Sequence, residues 1–492
     1  MQQAEKLEWI KSSIGFVLPE LILSIGILVL IVAGLLSKNG RIAQLLSIGV
    51  LLTSFLSLIV DGSTVEPVSL FIGMIEVNDS NFYLRLLLTV TGILIALISD
   101  PSQIIKNPFE YFTLTLSIVF GAQLLVMSQH FVMIILSLEL MSIPAYVLAG
   151  FAFDKPSAEA TLKYFIYGSV ATAFLIFGMT WLYGLSDSLV FTSSGFQEKL
   201  KFNDNPLFLG AGLMVIAGLL FKMAATPFHF WAPDVYQVTP MPLLALFSTI
   251  PKVAAGAILI KLLAAFTLSG QSFYDWQAII CVLAMATLTV GNFSAIWQKN
   301  VKRLMAYSSI GQAGFLLVAI ATFSVNGSQF FLFYSTILVI STVLAFLVLE
   351  YFERLYQTKN LSDFQGLGRM RPGLAVLLTF AMLSLVGLPV TAGFTAKLFV
   401  FSGLLEAWSN TGKSILIWLF AFGLLNTVVS LYYYLQIPYF MFLKESRSNQ
   451  MSAGKSIFPI LLGSLLALFL LWFFFQPDSL MGWINRLNFV PR

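Results

Sequence analysis

The chain has 492 residues, 58% hydrophobic and only 10% charged, with a mean hydropathy of +0.89, a balance that no soluble globule of this length sustains at its surface. It reads as a polytopic membrane protein, and its net charge of +4, spread over the connections, offers no clustered basic face for nucleic acid. Cys281 is the only cysteine, and His130 and His229 are the only histidines. An iron–sulfur cluster needs several thiolates, and haem or zinc needs histidine or cysteine ligands, so neither a metal nor a redox cofactor is expected in this chain.

The residues before Ile14 are polar, and the apolar run that follows reaches about Leu36, longer than the apolar core of a signal peptide. It is the first expected span. Glu20, just after Pro19, reads as a carboxylate at the interface, favoured there by a helix N-terminus. Further spans follow by length and apolarity at about 42–60, 81–99, 109–127, 130–151, 160–183, 207–226, 241–267, 275–296, 303–323, 328–352, 373–404, 413–440 and 456–475. The expected fold is thus all-α, with about fourteen transmembrane helices. Lysine and arginine crowd the odd-numbered connections, from Lys38 and Arg41 through Lys106, Lys155, Lys299, Lys302, Arg303, Arg354, Lys359, Arg369 and Arg371 to Lys444, Arg447 and Lys455. The other side holds chiefly Lys6, Lys11, Lys199, Lys201, Lys413, Arg486 and Arg492. The positive-inside rule then puts both termini on the non-cytoplasmic side.

The stretch Gly218–Pro240, GLLFKMAATPFHFWAPDVYQVTP, departs from an ordinary span. Lys222 lies well inside an apolar helix, Pro227 breaks that helix, and His229 and Trp231 are expected to be exposed in the break. A charge near the bilayer centre costs about 2.5–3.5 kcal/mol on insertion scales, so it faces an interior or a wet cavity and serves a function. The carbonyl freed by the proline must be satisfied by protein or water. Far downstream, LSLVGLPVTAGFTAKLFVFSGLL is interrupted around Gly387, Pro389 and Gly393, with Lys397 beyond. Interrupted helices in two halves of a chain point to an inverted-repeat transporter with its site near the midplane. In the first half the lysine precedes the proline and in the second it follows, as opposite topologies require. Helix order therefore suggests three helices in residues 1–107, a first five-helix repeat in 108–269, a second in 270–445 and one helix in 446–492.

Other charges extend this pattern. Glu139 sits mid-helix in IILSLELMSIPAYVL, where a nearby Lys222 would keep it ionised. Lys252 follows Pro251, and Lys261 comes about two and a half turns later. Lys163 lies early in its helix, and for Lys163 and Lys261 snorkelling to the interface is the alternative to a buried role. Such a row suits proton transfer. Burial disfavours a charged lysine and a neighbouring carboxylate restores it, so moving the carboxylate switches the lysine between binding and releasing a proton. A pKa change of about three is worth about 4 kcal/mol. That is comparable with the cost of about 2.3 kcal/mol for moving one charge across 100 mV. His229 either relays protons or caps the freed backbone groups.

FKMAATPFHFWAPDVYQVTP, IILSLELMSIPAYVLAG, VKRLMAYSSIGQAG, LSDFQGLGRMRP and GLPVTAGFTAKLFVF, in this order, resemble the antiporter-like membrane subunits of complex I, the NADH:quinone oxidoreductase. The resemblance covers nearly the whole chain. Tyr236 in PDVYQ, a lysine rather than a glutamate at Lys397, and an end near residue 492 favour the subunit N branch. It implies that Glu139 and Lys222 form the charge pair of a first half-channel. Lys252 would be the central lysine and Lys397 that of the second broken helix, with Lys163 and His229 assisting. It further implies a bacterial cytoplasmic membrane and partner subunits, among them a sibling antiporter-like subunit and small membrane subunits. NADH, FMN, iron–sulfur clusters and quinone would be on those partners. Where many relatives carry histidine, this chain has Gln312, which takes no proton at neutral pH but could hold water together with Ser308 and Ser309. Three rivals remain. A subunit of a multi-subunit sodium/proton antiporter shares the pattern. An organic-solute transporter would bind its substrate at the helix breaks, and in a structural scaffold the charges would be inert.

Overall fold

The computed structural model describes residues 13–62, 67–101, 107–201, 204–267, 273–445 and 457–487. Lys6, Lys11, Lys106, Arg447, Lys455 and Arg492, used in the orientation argument, lie outside the described residues, as do both chain ends. In chain order the helices of seven residues or more are α1 Leu18–Leu36, α2 Gly40–Asp61, α3 Asp79–Ile98, α4 Pro108–Met127, α5 Phe131–Ala149, α6 Lys155–Ser186, α7 Ser194–Lys201, α8 Pro206–Met223 and α9 Trp231–Val238. They continue with α10 Met241–Phe266, α11 Trp276–Ile296, α12 Val301–Ile320, α13 Val325–Tyr356, α14 Pro372–Val386, α15 Ala392–Thr411, α16 Ser414–Leu443, α17 Phe458–Phe475 and α18 Asp478–Ile484. A hairpin of β1 Val68–Leu70 and β2 Ile75–Val77 joins α2 to α3.

Local sequence explains the helix starts. Prolines open α1, α4, α6, α14 and α17 at positions where no intrahelical N–H is needed. The side chains of Asn39, Asn78, Asp154, Asn300 and Ser324 accept backbone N–H groups of the first turns that follow them. Among the described residues, thirteen helices are long and apolar enough to cross a membrane. The remaining expected span, 373–404, carries the interruption read from the sequence and is not one rod. It forms α14 and α15 with a break between them, because Gly387 leaves α14 with φ +84° and Pro389 cannot continue the helix ladder.

The chain packs as two units. Among the described residues, the first comprises 13–222, Ile250–Trp276 and Leu487, and the second Met223–Thr249 and Gln277–Arg486. In the first, α1 packs on α2 and α4, α3 fits against α2 and α4, and α4 runs along α5, which also meets α6. Leu28, Val32, Leu35 and Leu36 of α1 stay exposed, an apolar outer face suited to lipid. Glu20, in the first turn of α1, is enclosed by protein. It is buried, and its carboxylate takes two bonds from Arg85 of α3, from Nε at 2.8 Å and from the guanidinium tip at 2.6 Å. The reason is a matching cation one helix away, which sequence position alone does not disclose. In the second unit α13 is the central element, flanked by α12, α14, α15 and α17, while α9 packs on α12 and α16 on α14 and α15. The first nine residues of α10 belong to the second unit and the remainder to the first.

Candidate functional site

In the first unit α8 carries Lys222 in its last turn, and the lysine is only 6% exposed. Its ammonium donates to Ser142 Oγ and, at 3.4 Å, to the Tyr146 hydroxyl. The rings of Tyr146 and Phe221 also face it, each centroid 5.3 Å away, within range of cation–π attraction. Glu139, Ser142 and Tyr146 stand at i, i+3 and i+7 of α5 and so share one helical face. Glu139 does not bond directly to the lysine. Its carboxylate accepts from Thr172 Oγ1 at 2.9 Å and acts on the ammonium through space, with the two hydroxyls next to the charge. Ser142, Tyr146 and Thr172 were not found by reading the sequence for charges. The spacing in ELMSIPAY was the available signal for the first two.

Lys252 is buried on α10 directly after the internal Pro251. Lys261 does not snorkel. It is 8% exposed and donates to the Val126 carbonyl at 2.6 Å, one of the last carbonyls of α4, which have no intrahelical partner. Nine residues along a helix turn a side chain to the opposite face, so Lys261 is directed away from the side on which Lys252 projects. Lys163 lies on the outer face of α6, its side chain 43% exposed and ion-paired with Glu159 at 2.8 Å.

The first break opens the second unit. Ala224 takes φ +54°, Thr226 N–H donates to Thr287 Oγ1 at 3.0 Å, and the Thr226–Pro227 bond is cis. His229 and Trp231 are both buried, contrary to the expected exposure, because the chain refolds at once into α9, which packs on α12. Arg303 of α12 holds Asp234 at 2.9 Å, and the Tyr236 hydroxyl meets Ser309 Oγ at 3.2 Å. The His229 ring turns back on the break, with Nδ1 3.4 Å from Thr226 Oγ1 and a bond to the Pro227 backbone, as the capping alternative describes.

The second break has two of its freed carbonyls satisfied by side chains. Lys397 of α15, 4% exposed, donates to the Val386 carbonyl at 2.6 Å and lies 4.0 Å from the centroid of the Phe315 ring. Gln312 of α12 donates to the neighbouring Leu385 carbonyl at 2.9 Å. Pro389 stands in the break between them in sequence, and Gly393 opens the next helix against Ser384. A cavity of about 10 Å³, measured at the centre of a water-sized sphere, is lined by Lys397, Gln312, Tyr334, Ser341 and Ser384 among others. That is room for about one water. Both ends of the Gln312 amide meet protein groups, Nε2 the Leu385 carbonyl and the Tyr434 hydroxyl and Oε1 the Tyr334 hydroxyl. Tyr334 and Tyr434, which occupy them, were missed. A buried tyrosine in an apolar helix, requiring a partner for its hydroxyl, was the only hint. Among the described residues no group of three or more histidine, cysteine, aspartate or glutamate side chains could hold a metal ion.

A multi-pass helical membrane protein with one buried lysine beside each of two interrupted helices is the class that the fold and these sites define. The chain belongs to the NADH:quinone oxidoreductase/Mrp antiporter transmembrane family, whose model matches residues 128–430. Within it, the chain is 35% identical over 492 residues to NADH-quinone oxidoreductase subunit N of Chlorobium chlorochromatii, covering 96% of this chain and 94% of that protein. Its fold matches a chain of respiratory complex I from Thermus thermophilus with a TM-score of 0.79 and 28% identity, covering 96% of this chain and all of the other. A chain of the Mrp complex from Dietzia sp. has the same fold, with a TM-score of 0.82 at 18% identity, over 95% of this chain and 96% of that one.

Proposed function

We propose that this chain is the subunit N-type, proton-translocating member of the membrane arm of a respiratory complex I in a bacterial cytoplasmic membrane. Electron transfer from NADH to quinone takes place on partner subunits that carry FMN and iron–sulfur clusters, and this subunit moves protons without redox chemistry of its own. The observation that carries the reading is a buried lysine in each unit, Lys222 and Lys397, next to a helix break and held by neutral hydroxyl or carbonyl oxygens rather than by a direct carboxylate bond. Whole-length similarity to proteins named NADH-quinone oxidoreductase subunit N favours this over a sodium/proton antiporter subunit. Co-purification with peripheral redox subunits separates the two.

In this reading residues 108–269 and 270–445 are inverted five-helix repeats, preceded by three helices in 1–107 and followed by one in 446–492. Both termini face away from the cytoplasm. Glu139 biases Lys222 through space, with Ser142 and Tyr146 as the near acceptors of its N–H groups. Lys252 is the central carrier, and Lys397 loads and unloads beside the cavity of the second break. Lys163 and His229 are auxiliary, Lys163 through its pair with Glu159 and His229 through the geometry of the first break. A sibling antiporter-like subunit and small membrane subunits complete the arm. The test is proton pumping by the intact complex in sealed vesicles carrying Lys222→Ala, measured with its quinone reductase rate. Both fall while the complex still assembles if the lysine is on the coupled path. Unchanged pumping and turnover would reduce Lys222 to a structural charge.

A further inference from the structure

The buried polar groups of the second unit converge on one amide. Gln312 is 5% exposed, and its side chain meets three protein groups, the Leu385 carbonyl at 2.9 Å, the Tyr434 hydroxyl at 2.9 Å and the Tyr334 hydroxyl. A backbone carbonyl can only accept, so the nitrogen end of the amide must face Leu385, and its orientation is not a free choice. Two proton directions follow. Tyr334 donates to Gln312 Oε1 and Tyr434 accepts from the second N–H of Nε2, which leaves the proton of Tyr434 for its other hydroxyl partners, Ser308 and Tyr433.

A hydrogen-bonded chain conducts protons only where each member takes a proton on a lone pair and releases another on its far side. Serine, tyrosine and water do this. An amide does not, because its oxygen only accepts and its nitrogen only donates. Gln312 therefore joins Tyr334 to Tyr434 structurally while interrupting them as a conductor. On one side are Lys397 and its cavity, with Tyr334 and with Ser341 and Ser384, whose hydroxyls are 2.7 Å apart. On the other are Tyr434 and Ser308. Asn292 lies beyond Tyr433, whose hydroxyl it accepts at 2.9 Å, and itself donates to Asn426 at 3.2 Å.

We propose that Gln312 is a proton barrier, which confines proton exchange of Lys397 to the side lined by Tyr334, Ser341 and Ser384 and bars the route through Tyr434 and Ser308. The inference rests on reading Lys397 as a proton carrier. Capping of Leu385 and insulation are two results of the same three bonds, and one substitution separates them. Gln312→Glu keeps the size of the side chain but replaces the amide with a group that both takes and gives a proton, whereas Gln312→Leu can do neither.

The experiment uses the intact complex in sealed vesicles and reads the ratio of protons moved to electrons transferred, together with the decay of an imposed pH gradient without turnover. With Gln312→Glu the ratio falls and the gradient decays faster, whereas Gln312→Leu keeps the ratio and the slow decay even where its turnover drops. A ratio and decay unchanged in Gln312→Glu would overturn the barrier, and so would an equal leak in Gln312→Leu, which makes Gln312 a packing residue. Should Gln312→Glu fail to assemble, Gln312→His introduces a proton-conducting side chain in its place. A lower ratio and faster decay in that variant support the barrier, and unchanged values overturn it. Lys397→Ala, assayed in parallel, addresses the underlying reading. Pumping that survives this substitution removes Lys397 from the path, whatever the Gln312 variants do.

Discussion

Gly393→Ala puts the geometry of the second break to a quantitative test. A methyl built on Gly393 overlaps the Ser384 carbonyl oxygen and lies 2.7 Å from its carbonyl carbon, where ordinary contact begins at 3.4 Å. The start of α15 must therefore move from the end of α14 by at least 0.7 Å. Lys397 is one turn further along α15 and Val386 two residues further along α14, so the shift is applied to their bond. The distance between them grows from 2.6 Å to about 3.3 Å, past the usual range of about 2.7–3.2 Å. The lysine stem has little freedom to follow, since a Cβ at Gly387 would already lie 2.8 Å from Lys397 Cδ. Overpacking of this kind costs about 1–3 kcal/mol in stability. A hydrogen bond from a charged donor is worth about 1.5–3 kcal/mol, so weakening it by about half lowers the population of the positioned lysine roughly three- to tenfold, at about 1.36 kcal/mol per factor of ten. The assay is proton pumping by assembled Gly393→Ala complex in vesicles, with thermal stability measured on the same preparation. Stability and pumping equal to those of the unaltered complex would refute the close approach and the positioning argument built on it.

Ser142→Ala lowers coupled proton pumping more than Tyr146→Phe, because the tyrosine contact at 3.4 Å is already long and its ring remains in place. Equal effects in the vesicle assay, or none, would count against the hydroxyls as the near partners of Lys222. Glu20→Gln leaves Arg85 buried with its partner neutralised and costs about 3–5 kcal/mol, seen as lost thermal stability or lost assembly. The double substitution of Glu20→Met and Arg85→Met recovers most of it. A single variant as stable as the parent would show that the pair contributes nothing.

Composition and hydropathy alone determined that this chain is a helical membrane protein. A span announces itself by length and apolarity, since lipid leaves the backbone no partner except its own helix. The two breaks were equally legible at Pro227 and at Gly387–Pro389, and charges as conspicuous as Lys222 and Lys397 in apolar helices marked the candidate site. Partners were not legible. Nothing in the first helix tells that Glu20 meets Arg85, and the remote Val126 carbonyl that holds Lys261 is a backbone atom with no sequence signature. The expected pairing of Glu139 with Lys222 named the charges but not Ser142, Tyr146 and Thr172, neutral residues that the packing of α5 with its neighbours brings to them. Gln312 shows the division plainly. Its inability to carry a proton follows from its amide, but only the packing of α12, α13, α14 and α16 decides that its amide bonds Tyr334, Leu385 and Tyr434. Hydropathy is a property of each segment by itself, whereas a hydrogen bond between helices needs two side chains at one depth and facing, which the tertiary arrangement alone supplies.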